Sequence, residues 1–134
     1  VFDLPRVIPL AREMTKGRVE CIAGDFFADE LPPADCYAMS RILHDWTGEK
    51  IQRLLAKVFA ALPEGGGLLI GEMLIDDDRR GPVSAFTQSL SMLTCTEGQE
   101  RSAAEYEALC RAAGFREVYA KKTGTPSDAV LAIK

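Results

Sequence analysis

Positive charge is scarce and scattered in this chain. The 134 residues carry a net charge of -4, and the basic pairs Arg79-Arg80 and Lys121-Lys122 are its only basic clusters. A nucleic-acid footprint is thereby excluded. No apolar run approaches the roughly 20 residues of a membrane span. The four cysteines, Cys21, Cys36, Cys95 and Cys110, form no C-x-x-C pair, and there is a single histidine, so the spacing of a metal site is missing. They read as reduced thiols of a cytoplasmic protein. No G-x-S-x-G elbow for a serine hydrolase occurs. The glycines at 65–67 lack the Lys-Ser/Thr of a phosphate loop and follow a helical pattern instead of opening one, so they read as a turn. A secretory leader, internal repeats and low-complexity stretches are also missing. The chain opens on Val1-Phe2-Asp3-Leu4-Pro5 without an initiator methionine, as a piece of something longer would.

What is present alternates between strand-like and helix-like patterns. Val1-Phe2 reads as the end of a buried strand. A helix follows Pro5, with Val7, Ile8, Leu10, Ala11 and Met14 as its buried side and Lys16-Gly17 as its end, although Pro9 disturbs it or delays its start. Residues 19–23 and Cys36 to Met39 read as strands, and Leu31-Pro32-Pro33-Ala34-Asp35 as a connector between them. After Thr47, an N-cap candidate, Ile51, Leu54, Leu55, Val58, Phe59 and Leu62 form one apolar stripe, which predicts a long amphipathic helix. Residues 68–71 predict a strand reaching Glu72 and continuing through Met73-Leu74-Ile75. Residues 85–94 predict a helix with Phe86, Leu90 and Leu93 at helical spacing. Ser102 with Glu105 forms a capping-box pattern ahead of another helix, whose inner face is Tyr106, Leu109, Cys110 and Ala113. Residues 118–120 and 129–133 close the chain as an antiparallel pair, one strand inserting beside the preceding parallel one. The repeated strand–helix order predicts an α/β fold, a mainly parallel sheet with helices on both faces.

Asp3, Asp25, His44 and Glu72 each follow a predicted strand, so four polar groups are expected along one sheet edge, where open α/β sheets bind ligands. Asp3 suits a pair of ribose hydroxyls, and Asp25 beside Phe26 suits an adenine. His44 is the one side chain whose unperturbed pKa suits proton transfer near neutral pH.

Read in order, Phe2-Asp3-Leu4-Pro5, Gly24-Asp25-Phe26-Phe27, Leu43-His44-Asp45-Trp46, the glycine-rich turn before the strand ending in Glu72, and Glu97-Gly98-Gln99-Glu100-Arg101 resemble the ordered motifs of S-adenosylmethionine-dependent small-molecule O-methyltransferases. The animal branch that methylates hydroxyindoles is the closer likeness. It is carried by Asp78-Arg79-Arg80-Gly81-Pro82, Ala113-Gly114-Phe115-Arg116, Lys121-Lys122-Thr123-Gly124 and residues 128–132. The resemblance implies a Rossmann-like class I methyltransferase sheet with an antiparallel carboxyl-terminal hairpin, here lacking the first strand and glycine-rich loop. Residues 1–134 would be the carboxyl-terminal part of the catalytic domain.

By resemblance, His44 is the general base, with Glu72 and Glu100 flanking it. Asp3, Asp25, Phe26, Phe27 and Arg41 hold S-adenosylmethionine, and Asp45, Ser91 and Cys95 face the substrate. No metal is implied. The implied substrate is a hydroxyindole such as N-acetylserotonin, which would give melatonin. The parent is expected to be a homodimer through an amino-terminal region outside this chain, and the piece alone is expected to be inactive. A catalytically silent interaction domain and an enzyme for another phenol are the alternatives.

Overall fold

The computed structural model describes residues 1–134. They fall into two units, Val1–Pro33 and Ala34–Lys134.

In the first unit, β1 (Phe2–Asp3) and β2 (Ile22–Ala23) pair in parallel, Phe2 with Ile22 and Asp3 with Ala23, and α1 (Ile8–Thr15) connects them. Pro9 occupies the first turn of α1, where its missing N–H costs no hydrogen bond, so the helix begins later than Pro5. Lys16, at φ 51°, ends α1 by donating its N–H to the carbonyls of Arg12 and Glu13. Two expectations are corrected here. The strand expected over 19–23 shortens to Ile22–Ala23, because only those two residues find register with β1. Leu10 and Met14, expected on a buried face, are exposed, and Ile8 is the buried residue of α1.

The second unit holds β3 (Cys36–Ser40), a 3-10 turn (Leu43–Asp45), α2 (Gly48–Ala61), β4 (Gly67–Glu72), α3 (Val83–Cys95), α4 (Ala103–Ala112), β5 (Glu117–Lys121) and β6 (Asp128–Ile133). The sheet order is β3-β4-β6-β5. β3 runs parallel to β4, while β6 inserts between β4 and β5, antiparallel to both. The apolar stripe of α2 is buried as its spacing requires, with Ile51, Leu54, Leu55 and Val58 essentially inaccessible. Thr47 caps this helix by accepting the N–H of Lys50, a contact typically worth about 1 kcal/mol. The capping box at Ser102 is complete: its hydroxyl accepts from the Glu105 N–H, and Glu105 Oε2 accepts from the Ser102 N–H at 2.8 Å.

α4 packs on β5, β6 and α2, over a sheet face made of Leu68, Ile70, Val130 and Ala132. The opposite face is different. Ala38, Leu69, Leu131 and Tyr119 stand in one row across the four strands, and all four are exposed. The expectation that helices cover both faces of this sheet is therefore not met within the chain, since α2 and α4 pack together on one side. The stripe on α3 is also corrected. Phe86, Leu90 and Leu93 point outward with Val83, and Ala85 and Met92 are the residues that α3 buries. β4 stops at Glu72, and beyond it Ile75 makes only an isolated bridge to Ser102.

Candidate active site

Asp3, Asp25, His44 and Glu72 lie at or just past the carboxyl ends of strands, but on two sheets instead of one, while Ser91 and Cys95 lie on α3 and Glu100 in the loop after it. No strand of this chain joins the β1–β2 pair to the four-stranded sheet.

In the first unit, Asp3 ends β1 and Asp25 lies just past β2. The N–H of Gly24, between Ala23 and Asp25, donates to the carbonyl of Asp3 at 2.9 Å. Asp3 Oδ1 accepts the N–H of Leu4 at 2.7 Å, which fixes the carboxylate at the strand end. Asp25 Oδ1 accepts the N–H of Phe27 at 2.8 Å, and its own N–H donates to Asp29 Oδ2 at 2.8 Å. The loop is thus a tight turn that sets the Phe26 and Phe27 rings edge to face, 4.8 Å apart. Both carboxylates and both rings are half-buried. Carboxylate acceptors beside aromatic faces match the chemistry of a nucleoside: hydroxyl and amine donors around a flat ring.

In the second unit, β3 ends in a sharp turn. Arg41 adopts φ 57°, the left-handed region that a non-glycine residue enters at a cost of roughly 1–3 kcal/mol. Its N–H donates to the carbonyl of Gly71 on β4 at 2.9 Å. The chain then winds into the 3-10 turn that carries His44, which is only 3% exposed.

Three buried side chains grip this turn. Glu72, at the end of β4, is completely buried, and its Oε1 accepts the backbone N–H groups of Ile42 (3.1 Å), Leu43 (2.9 Å) and His44 (3.4 Å). A carboxylate at the amino end of a short helix satisfies N–H groups that otherwise have no partner. Arg101 holds the other end. Its Nη1 donates to the Leu43 carbonyl at 3.4 Å and to that of Gln99 at 3.0 Å, and its Nη2 donates to the Trp46 carbonyl at 3.0 Å. Glu100 holds the imidazole: its Oε1 lies 2.7 Å from His44 Nδ1. Glu100 is itself anchored to α3, because its N–H donates to Ser89 Oγ at 3.2 Å.

With a proton on Nδ1 facing Glu100, the neutral ring presents its lone pair at Nε2. That nitrogen lies 3.5 Å from Asp45 Oδ1. The site is buried at the glutamates and opens toward Asp45 and Arg41, whose side chains are 38% and 39% exposed. Arg41 Nη1 approaches Glu100 Oε1 at 3.8 Å. Ser91 and Cys95 sit four residues apart on the exposed side of α3. Ser91 Oγ donates to the Thr87 carbonyl at 3.1 Å, and Cys95 Sγ is 3.5 Å from Thr94 Oγ1.

Burial works against the charged imidazole. The hydrogen bond to Glu100 and the charges of Glu72 and Glu100 outweigh it, despite Arg41, so His44 titrates above its ordinary value. Glu72 is also pushed up, by burial and then by the Glu100 charge, with His44 and the turn N–H groups opposing. A group whose folded-state pKa is raised contributes stability that is fully present below its unfolded value and is lost as pH rises through the folded value. Thermal stability should therefore fall as pH rises from about 6.5, the ordinary histidine value, through the His44 midpoint. A set of melting curves between about pH 6 and pH 9 checks this. A His44→Gln chain should lose that slope; a slope retained in full would assign it to another group.

Arg101 and Gly98 complete the site, and the sequence reading gave neither a role. Gly98 is buried where a Cβ would collide with the carbonyl oxygen of His44 and come within 2.6 Å of Asp45 C and Trp46 N. The motif Glu97-Gly98-Gln99-Glu100-Arg101 contained both, but sequence spacing carries no signal that an arginine is buried or that a glycine touches another loop.

The model of an O-methyltransferase domain matches residues 1–116. The chicken (Gallus gallus) protein acetylserotonin O-methyltransferase is 48% identical over the whole chain, which spans 40% of that protein. A human protein described as a probable bifunctional dTTP/UTP pyrophosphatase/methyltransferase is 43% identical over the whole chain, covering 22% of its own length. The crystal structure of human N-acetylserotonin methyltransferase in complex with SAM superposes with a TM-score of 0.95 at 45% identity, over all of this chain and 39% of that one.

Proposed function

This chain belongs to the O-methyltransferase domain family, and on that premise we propose that the whole protein methylates the hydroxyl of a hydroxyindole, N-acetylserotonin giving melatonin, with S-adenosylmethionine as methyl donor. Residues 1–134 are then the carboxyl-terminal part of its catalytic domain. The dimerisation region and the first cofactor loop lie elsewhere in the parent.

The observation that carries this reading is the arrangement at His44. Its Nδ1 is committed to Glu100 at 2.7 Å, on a turn held by Glu72, and Nε2 stands toward the open side of the site. A phenolic hydroxyl with a pKa of about 10 is barely ionised at neutral pH. His44 Nε2 takes its proton as the oxygen is methylated, and Glu100 stabilises the imidazolium that forms. Bound S-adenosylmethionine would supply an electrophilic methyl group on a positively charged sulfur. Asp3 would accept from its ribose hydroxyls, Asp25 from its adenine amine with Phe26 and Phe27 against the ring, and Arg41 would add a further cofactor contact. Asp45, Ser91 and Cys95 would face the substrate. Orientation of the hydroxyl supplies much of the remaining rate.

The test is turnover by the full-length protein with S-adenosylmethionine and N-acetylserotonin, read as product mass, beside a panel of other phenols. Transfer to another phenol alone would replace the substrate. No transfer to any hydroxyl would leave a silent domain and overturn the reading. The chain by itself should neither turn over nor bind S-adenosylhomocysteine, and micromolar binding in calorimetry would refute that part.

A further inference from the structure

Arg101 is 6% exposed and sits in the loop after α3, next to Glu100. A guanidinium that deep ordinarily takes a carboxylate, because a buried charge is costly unless it is paired. Arg101 spends its donors on backbone oxygens instead, and the choice of oxygens is informative. Nη1 is shared between the carbonyls of Leu43 at 3.4 Å and Gln99 at 3.0 Å, and Nη2 donates to that of Trp46 at 3.0 Å. Each of those residues adjoins a residue of the site. Leu43 precedes His44, Trp46 follows Asp45, and Gln99 precedes Glu100.

A single planar fork therefore brackets the turn that carries His44 and Asp45 and fastens it to the loop that carries Glu100. Across the same gap lies the 2.7 Å contact of Glu100 Oε1 with His44 Nδ1. The root of the fork is itself fixed. The Arg101 carbonyl accepts the N–H of Ile75 at 3.1 Å, and Ser102 bridges to Ile75.

We propose that Arg101 is a positioning residue for the methyl transfer: its fork sets the register between the His44–Asp45 turn and Glu100, so that the imidazole stays on its glutamate and Nε2 stays toward the hydroxyl. This rests on the reading of His44 as the base. Lysine cannot do the same. Its ammonium is a point charge on a flexible stem, and it does not hold carbonyls of two segments in one fixed plane. Arg101→Lys thus keeps the charge and loses the geometry.

In the full-length protein Arg101→Lys should lower kcat by about 10²-fold, the usual effect of a displacement near 1 Å, with KM for S-adenosylmethionine nearly unchanged. The rate is read at a temperature where the variant is fully folded, so lost stability does not enter it. In a His44→Asn background the same replacement should cost little more, because the group being positioned is gone. In Arg101→Ala, guanidinium at roughly tens of millimolar, far below the molar range in which it unfolds proteins, should restore part of the turnover, and sodium at equal ionic strength should not. Wild-type kcat in Arg101→Lys, or costs that simply add in the double variant, overturns the proposal. So does an Arg101→Lys protein that does not fold, which would make the side chain structural. A further measurement needs no turnover. The chain has one histidine, so its imidazole resonance is followed by NMR without assignment. Glu72, Glu100, Arg41 and Asp45 face that ring. Arg101→Lys leaves all four in the sequence, so a midpoint lower by about one unit reports the loosened bond to Glu100. An unchanged or raised midpoint overturns the proposal. If instead His44→Asn keeps full turnover, the base assignment fails, while the NMR shift still decides whether Arg101 holds His44 on Glu100.

Discussion

Replacing His44 by asparagine in the full-length protein should lower kcat by about 10²–10⁴-fold, the usual worth of a positioned general base, with KM for donor and acceptor nearly unchanged. Asparagine is the informative choice because its amide N–H can stand in for Nδ1–H and keep the partner of Glu100, now at 2.7 Å. It offers nothing in place of Nε2. His44→Ala is a harsher change: it leaves the buried Glu100 carboxylate without its imidazole donor, and breaking a buried pair in that way typically costs about 3–5 kcal/mol. The two variants should therefore share a kinetic defect and differ in melting temperature. Full turnover in a folded His44→Asn protein would remove His44 from the chemistry. A fall in kcat with an equal fall in KM would point to ground-state strain instead of proton transfer.

Gly98→Ala should damage both the fold and the site. The new methyl group would fall within 2.6 Å of Asp45 C and Trp46 N, and closer still to the His44 carbonyl, all of it backbone. Backbone gives way far less easily than the end of a side chain. The turn is also pinned by Glu72 at one end and Arg101 at the other, so either the turn or the 96–101 loop must move. Overpacking of this kind typically costs about 1–3 kcal/mol, which corresponds to a fall in Tm of roughly 5–15 °C. Turnover should fall by about 10²-fold or more, since a displacement near 1 Å of a reacting group has that effect. Gly48→Ala is the control. A Cβ there meets nothing within 4 Å, at the first position of α2. It should be neutral or slightly stabilising, through the reduced entropy of the unfolded chain. Equal melting temperatures for Gly98→Ala and wild type would show that the turn can shift freely.

Elements whose cause is local were legible in the sequence. Thr47 and the stripe from Ile51 to Val58 marked α2, and Ser102 with Glu105 marked the start of α4, because caps and 3.6-residue periodicity are properties of neighbouring residues. The antiparallel pairing of the last two strands followed from their short connection, whereas which of them lies beside β4 did not. Periodicity does not say what a face meets. The α3 stripe of Phe86, Leu90 and Leu93 has the spacing of a core face and lies exposed. His44 and Glu72 were legible as strand-end residues and Glu100 only through its family motif; the structure places both glutamates at His44, 28 and 56 residues along the chain. How they act was not. Glu72 spends one oxygen on three backbone N–H groups, and Arg101 spends its donors on carbonyls up to 58 residues away. Such long-range satisfaction of backbone groups has no local signature.

The strand order also constrains how the protein is made. β6 is last in sequence yet sits between β4 and β5. During synthesis β3, β4 and β5 emerge first, and β5 has no hydrogen-bonded neighbour in the sheet until β6 arrives. The nascent chain therefore presents one open edge of β4, and then an unpaired β5, until Asp128–Ile133 is translated. A premature stop between β5 and that segment would release a polypeptide whose sheet is divided in two, a form that quality-control proteases and chaperones recognise by its exposed apolar edges.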